Sequence, residues 1–154
     1  NTEGIRISRT EQTGVALITL DSSAENSIVV CPGANGTVDS DEILAALEAL
    51  PVLKMIMLQL EIPMDCVERT VAYAAQRGIP VFLDPAPVPP EGLPEELYAK
   101  LTYIAPNSIE AELLTGILRL HVRQHSSFWH AASKMPLSSW AVTASMPQTN
   151  RASS

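Results

Sequence analysis

The feature that most limits the fold is an alternation that begins near residue 40. Three short, nearly continuous apolar runs, at 54–60 (KMIMLQL), 80–84 and 103–105, are separated by segments with helical patterning and joined by short connections. A strand that shows no polar–apolar alternation is covered on both faces, which is the condition of a strand inside a parallel sheet. Parallel neighbours require a crossover between them, and the helical segments have the length for it. The pattern therefore predicts an α/β fold with a doubly wound parallel sheet. Ser40-Asp41-Glu42 opens a helix to about Leu50, with an N-cap and acids in the first turn. Pro63 starts a second helix that carries Val67, Val71, Ala74 and Ala75 on one face and stops at Gly78. A loop with five prolines fills 85–94, residues 95–100 are helical, and Asn107 caps a last helix ending at Thr115-Gly116.

The first third of the chain follows another rule. Residues 14–20 (GVALITL) and 27–31 are β-branched-rich runs separated by the turn material Asp21-Ser22-Ser23-Ala24-Glu25-Asn26, which reads as an antiparallel hairpin. Pro32-Gly33-Ala34-Asn35-Gly36 then forms a permissive loop. The hairpin stands outside the alternating pattern and reads as a separate flap.

Charge excludes several partners. Seventeen acidic and ten basic residues give a net charge of −7, which disfavours nucleic acid and anionic membrane surfaces. No apolar run approaches the roughly 18 residues of a membrane span, no signal peptide is visible, and the two cysteines, Cys31 and Cys66, form no CxxC. A reduced cytoplasmic chain is expected. The acids are also unevenly placed: residues 118–154 contain none, where an even spread would put about four.

Ligands of doubly wound sheets bind at the carboxyl ends of the strands. Three such ends carry polar side chains: Gln59-Leu60-Glu61, Asp84-Pro85, and Pro106-Asn107-Ser108-Ile109-Glu110. Each taken alone is an ordinary strand terminus, and Asn107 with Glu110 is an ordinary capping box. Three carboxylates on one rim could also hold a hard divalent cation through water, the arrangement common for Mg²⁺ beside a nucleotide phosphate.

An ordered set of segments carries a resemblance. Thr13-Gly14-Val15-Ala16-Leu17-Ile18-Thr19-Leu20, Glu25-Asn26-Ser27-Ile28-Val29-Val30, Pro32-Gly33-Ala34-Asn35, Gln59-Leu60-Glu61-Ile62-Pro63, Asp84-Pro85-Ala86-Pro87 and Pro106-Asn107-Ser108-Ile109-Glu110-Ala111-Glu112-Leu113-Leu114-Thr115-Gly116 resemble the ribokinase branch of the PfkB carbohydrate-kinase family over about residues 3–117. The resemblance implies a partial ribokinase-like sheet over 37–117 and a lid-type β-hairpin over 1–36. It implies ATP-dependent phosphorylation of a sugar, D-ribose first, with Mg²⁺ and a monovalent cation such as K⁺. Glu61 matches the glutamate that hydrogen-bonds sugar hydroxyls. Asn107 and Glu110 match the Asn-x-x-Glu motif that organises Mg²⁺ and the ATP phosphates. Asp84 stands where ribokinases usually carry Asn, and a role near the metal is implied for it. The hairpin matches the lid that covers the sugar and forms the homodimer contact. Another sugar or nucleoside kinase of the family, or a non-catalytic α/β module, stays open as an alternative.

The family's Gly-Gly-rich sugar-binding segment would precede Asn1, and its Gly-Ala-Gly-Asp anion hole, with the catalytic Asp, would follow residue 117. No Gly-Ala-Gly-Asp occurs in the 154 residues, so the chain by itself is expected to be inactive. After Ile117 the resemblance stops; a linker or a divergent C-terminal element is one reading of 118–154, and the favoured one is the family's gene read out of frame. Phe128-Trp129 forces Leu in the shifted frame, Trp129-His130 forces Ala, Lys134-Met135 forces Asn or Asp, and Trp140-Ala141 forces Gly. These fall where the next helix and strand of a ribokinase would need them. The tail is therefore expected to be frame-shifted and loosely attached, and His121, His125 and His130 receive no role.

Overall fold

The computed structural model describes residues 4–23, 26–116 and 129–130. Each apolar run contributes only its middle to the sheet: β3 is Ile56–Leu58, β4 is Val81–Leu83 and β5 is Tyr103–Ile104, following the hairpin strands β1 (Val15–Leu20) and β2 (Asn26–Cys31). The helices are α1 (Ser40–Glu48), α2 (Met64–Arg77), α3 (Glu95–Tyr98) and α4 (Ser108–Thr115). β3 pairs with β4 and β4 with β5, both parallel, with Ile56 opposite Val81, Leu58 opposite Leu83, and Leu83 opposite Ile104. The ladder runs on past the strand ends through Ile56 N to Pro80 O (2.9 Å), Asp84 N to Leu58 O (2.9 Å) and Ala105 N to Leu83 O (3.0 Å). The parallel pairing expected for 54–60 and 80–84 is thus present.

A further strand, β6 (Trp129–His130), pairs antiparallel with β5, His130 opposite Tyr103 and Trp129 opposite Ile104. These two residues belong to the tail expected to be loosely attached, and they meet the sheet through backbone pairing. The outer edge of β5 offers unpaired backbone groups, and any extended segment alongside can satisfy them. The frame-shifted character of the rest of 118–154, with His121 and His125, lies outside the described residues.

Alternation along the strands explains the core. Ile56, Val81, Leu83 and Ile104 share one sheet face and cluster with Val67, Val71 and Ala74 of α2. Buried residues of α2 fall at 66/67, 70/71 and 73/74, the spacing of an amphipathic helix lying on a sheet. Ala75, expected on that face, is exposed; the stripe is filled instead by Cys66, Thr70 and Tyr73. Burying side chains such as Leu83, Leu101 and Ile104 contributes about 1.5–3 kcal/mol each before entropy is set against it. The opposite sheet face is less covered: Met57 is 71% exposed, and Phe82 and Tyr103 are half-buried. Coverage on both faces therefore does not extend to β3 among the described residues.

Local chemistry fixes the helix ends. α1 is capped one residue earlier than the sequence suggests: Asp39 Oδ1 accepts from Asp41 N (2.9 Å) and Glu42 N (3.1 Å). That leaves Ser40 Oγ to accept from Arg69 Nη1 at 2.6 Å, while Arg69 Nη2 reaches Asp41 at 2.5 Å, so α2 is tied to the start of α1. Gly78 and Gly116, both at positive φ, close α2 and α4. No helix among the described residues is long and apolar enough to cross a membrane.

β1 and β2 form their own two-stranded antiparallel sheet, from Val15 opposite Cys31 to Leu20 opposite Asn26. All twelve strand residues are exposed. The register puts Ala16, Ile18, Leu20, Ile28 and Val30 on one face, and Val15, Leu17, Val29 and Cys31 with Thr19 and Ser27 on the other. At the root, two backbone segments cross in near contact. A Cβ on Gly14 would lie 2.6 Å from Pro32 O, and one on Gly33 (φ +54°) would lie 2.4 Å from Gln12 O. Ala34 N donates to Gln12 O at 2.8 Å across the same crossing. The segment after β2, expected as an open loop, is a 3-10 helical turn over Gly33–Thr37.

Candidate functional site

The three parallel strands end on one rim, and their exits carry the polar residues singled out from the sequence. After β3 the chain sends Leu60 into the core and leaves Gln59 and Glu61 exposed. Leu60 N donates to Ala86 O at 3.1 Å, so the exits of β3 and β4 travel side by side. Asp84, half-buried, follows β4 directly and is held from behind by the fully buried Pro85. Gln59 Nε2 donates to Asp84 Oδ2 at 3.3 Å.

The third exit is a reciprocal cap. Asn107 Oδ1 accepts from Glu110 N at 2.9 Å, Glu110 Oε2 accepts from Asn107 N at 2.8 Å, and Asn107 Nδ2 donates to Glu110 Oε1 at 2.6 Å. The sequence encodes this directly, since Asn followed three residues later by Glu satisfies two orphan donors of a helix start. Both carboxylate oxygens of Glu110 are thereby oriented, and each keeps a further lone pair for a ligand.

Glu61, Asp84, Asn107 and Glu110 thus all stand at the strand ends where sequence placed them. The structure joins Asn107 to Glu110. It also joins Asp84 to Gln59, a residue that sequence reading noted only as part of the exit of β3. The signal was available in the parallel register: with Leu58 opposite Leu83, the next residues along, Gln59 and Asp84, meet at the rim.

The donor set favours one class of cation. Oxygen donors dominate the rim, and no group of three or more His, Cys, Asp or Glu able to hold a metal occurs among the described residues. The described residues therefore form no complete protein cage. One or two carboxylates that leave most positions to water and phosphate suit Mg²⁺, which dehydrates reluctantly. Asp84 and Glu110 are the rim carboxylates of that chemistry, one with Gln59 on one oxygen and the other held by its cap.

Comparison with known proteins agrees with the geometry. The family pattern described as pfkB family carbohydrate kinase matches residues 1–135, which carries the match past residue 117, where the quoted motifs end. Ribokinase of Bacillus subtilis is 38% identical over 103 residues, covering 67% of this chain and 34% of that protein. Ribokinase of Schizosaccharomyces pombe is 32% identical over 114 residues, covering 74% of this chain and 35% of that protein. Among solved structures, Arabidopsis thaliana ribokinase complexed with ribose and ATP superposes with a TM-score of 0.53 at 30% identity, over 70% of this chain and 34% of that one. The chain spans about a third of the length of the curated relatives it matches.

Proposed function

The chain belongs to the pfkB family of carbohydrate kinases, and from that premise we propose that it forms the central part of an ATP-dependent ribokinase that converts D-ribose to D-ribose 5-phosphate. The observation that carries this reading is the rim itself: Glu61, Asp84 and the Asn107–Glu110 pair sit at the carboxyl ends of adjacent parallel strands, in the order the ribokinase motifs require.

Each residue has a task that its chemistry supports. Glu61, exposed and acceptor-only when ionised, takes hydrogen bonds from sugar hydroxyls. Glu110 and Asp84 present oxygens to the water shell of Mg²⁺, and Asn107 holds Glu110 in place. Mg²⁺, when bound, neutralises charge on the phosphates and so supplies the electrostatic part of phosphoryl transfer. The hairpin, with two apolar faces and no cover on its twelve residues, closes over the sugar with one face and meets a second copy with the other. The free thiols Cys31 and Cys66 support a reducing, cytoplasmic setting. Transfer also requires a base and a backbone nest for the phosphate, which the family supplies from Gly-Ala-Gly-Asp. That motif does not occur in these 154 residues, so turnover is expected only where a base and an anion hole are supplied to this part of the fold.

A chimera tests the assignment. Residues 4–116 are exchanged for the matching third of Bacillus subtilis ribokinase, and ADP formation is followed with ribose and with 2-deoxyribose. Activity on ribose is expected, with Glu61→Ala raising the KM for sugar and leaving that for ATP unchanged, and Glu110→Ala lowering kcat. A folded chimera without activity on either sugar, or a Glu61→Ala effect confined to ATP, would refute the reading. Preference for 2-deoxyribose would move the substrate to that of the deoxyribokinase relatives, which are 36% identical over 104 residues.

A further inference from the structure

We propose that Gln59 is a positioning residue of the rim: its side-chain amide holds the carboxylate of Asp84 so that Oδ1 stays turned to a hard divalent cation or its bound water. The inference rests on the reading of Asp84 as a metal-facing group and adds a residue to it.

Three observations converge on the pair. The first is register. β3 and β4 are parallel with Leu58 opposite Leu83, and Asp84 N donates to Leu58 O at 2.9 Å, so the backbones of 59 and 84 are anchored side by side. Leu83 and Pro85 are fully buried on either side of Asp84, which removes backbone freedom at that position.

The second is direction. A carboxylate only accepts, so the Gln59 amide can face Asp84 only through Nε2, and Oδ2 is the oxygen it takes at 3.3 Å. Oδ1 accepts no other hydrogen bond among the described residues. A carboxylate on a single-bond stem would otherwise sample several orientations, and a ligand would have to select one of them.

The third is the contrast with the other carboxylate of the rim. Glu110 is oriented by a local capping box, through Asn107 N and Nδ2. Asp84 lies outside any helix start and has no cap to orient it. Its orienting donor comes from the neighbouring strand, twenty-five positions away in sequence. Gln59 is exposed, so the contact is not a device for satisfying a buried group.

The test uses the 154-residue chain, isotopically labelled, titrated with MnCl₂ alone and read by paramagnetic broadening of assigned amide signals. In the unsubstituted protein Mn²⁺ is expected to broaden the Asp84 amide and the Gln59 side-chain amide. Gln59→Met, nearly isosteric but without a donor, should weaken Mn²⁺ binding at Asp84 by about tenfold, the lower end of what loss of a ligand's supporting hydrogen bond does. Broadening at Glu110, which faces the same ion, should fall in step, while amides remote from the rim are unchanged. Gln59→Asn, one methylene too short to reach, should behave like Gln59→Met, and both retain the spectrum of the core. In an Asp84→Asn background, Gln59→Met should have no further effect.

The outcomes separate. Equal broadening at Asp84 with and without Gln59 overturns the positioning role and leaves the metal reading standing. A further loss in the Asp84→Asn background overturns it too, because Gln59 would then act on its own. Absence of broadening at Asp84 in the unsubstituted protein removes the metal reading of Asp84, and the role of Gln59 with it.

Discussion

Asn107→Ala separates the structural from the chemical duty of the cap on α4. The substitution removes two contacts, Oδ1 with Glu110 N (2.9 Å) and Nδ2 with Glu110 Oε1 (2.6 Å), and leaves Asn107 N to Glu110 Oε2 (2.8 Å) intact because it is made by backbone. Loss of an N-cap acceptor costs about 1 kcal/mol, in a range of roughly 0.5–2. The exposed side-chain pair adds about 0.5 kcal/mol, at the low end for a hydrogen bond open to solvent. The cost is felt by the whole core, since Ala111 is buried and Leu114 packs on the main cluster. A loss of about 1.5 kcal/mol corresponds to a fall in Tm of roughly 6–12 °C for a domain of this size. Urea unfolding followed by far-UV circular dichroism reads the change, with the m-value unchanged. Asn107→Ser, which keeps a cap acceptor and loses the amide, should recover most of the loss. A Ser variant as unstable as the Ala variant, or an Ala variant indistinguishable from the unsubstituted chain, would show that the cap does not hold α4.

Three further outcomes follow from other parts of the fold. Burial pushes the Tyr98 hydroxyl up to about 12 from its ordinary 10.0. Its folded value lies above its unfolded one, so the unfolded chain loses the proton first and stability falls as pH rises from about 10 to about 12; Tyr98→Phe should flatten that slope in denaturation measured across the window. Cys66 is buried and its thiol is pushed up by burial and then by Asp65 and Asp39, whereas Cys31 is exposed on the hairpin. Ellman's reagent should therefore label one thiol fast and the other only on unfolding, and two fast thiols would contradict the packing of α2 on Val38 O, to which Cys66 Sγ donates. Gly33→Ala forces a Cβ to within 2.4 Å of Gln12 O at a φ of +54°, so amide exchange should rise across β1 and β2 while the core transition stays in place; uniform loss of protection through β3 and β4 would refute the independence of the hairpin.

The elements were legible because their signals are local. The capping box at Asn107, the stop at Gly78 and the hairpin at 15–31 follow from chemistry within a few residues. The parallel pairing of β3 with β4 followed from the absence of alternation in two short runs. Less legible were facts that need three dimensions. Asp39 rather than Ser40 caps α1, and the Ser40 hydroxyl is taken up by Arg69, 29 positions on, a contact that no local pattern announces. Tyr73 rather than Ala75 completes the buried stripe because the sheet beneath α2 selects which edge of the helix it covers. Glu61, Asp84, Asn107 and Glu110 were legible at the rim through strand order, while Gln59 became a site residue only once register set it against Asp84.

The glycine crossing at the foot of the hairpin makes it a lever. Six residues per strand at about 3.3 Å each give an arm of roughly 20 Å beyond the crossing. A pivot error of 10° at Gly14 and Gly33 would sweep the tip through roughly 3.5 Å over that arm, about the width of one atomic contact. Leu20 and Asn26, at the far end, can therefore be misplaced by a full contact distance without any change in their own surroundings. Precision at the tip is inherited from two positions whose side chains are single hydrogens, and a methyl group there acts at a distance of half the hairpin's reach or more.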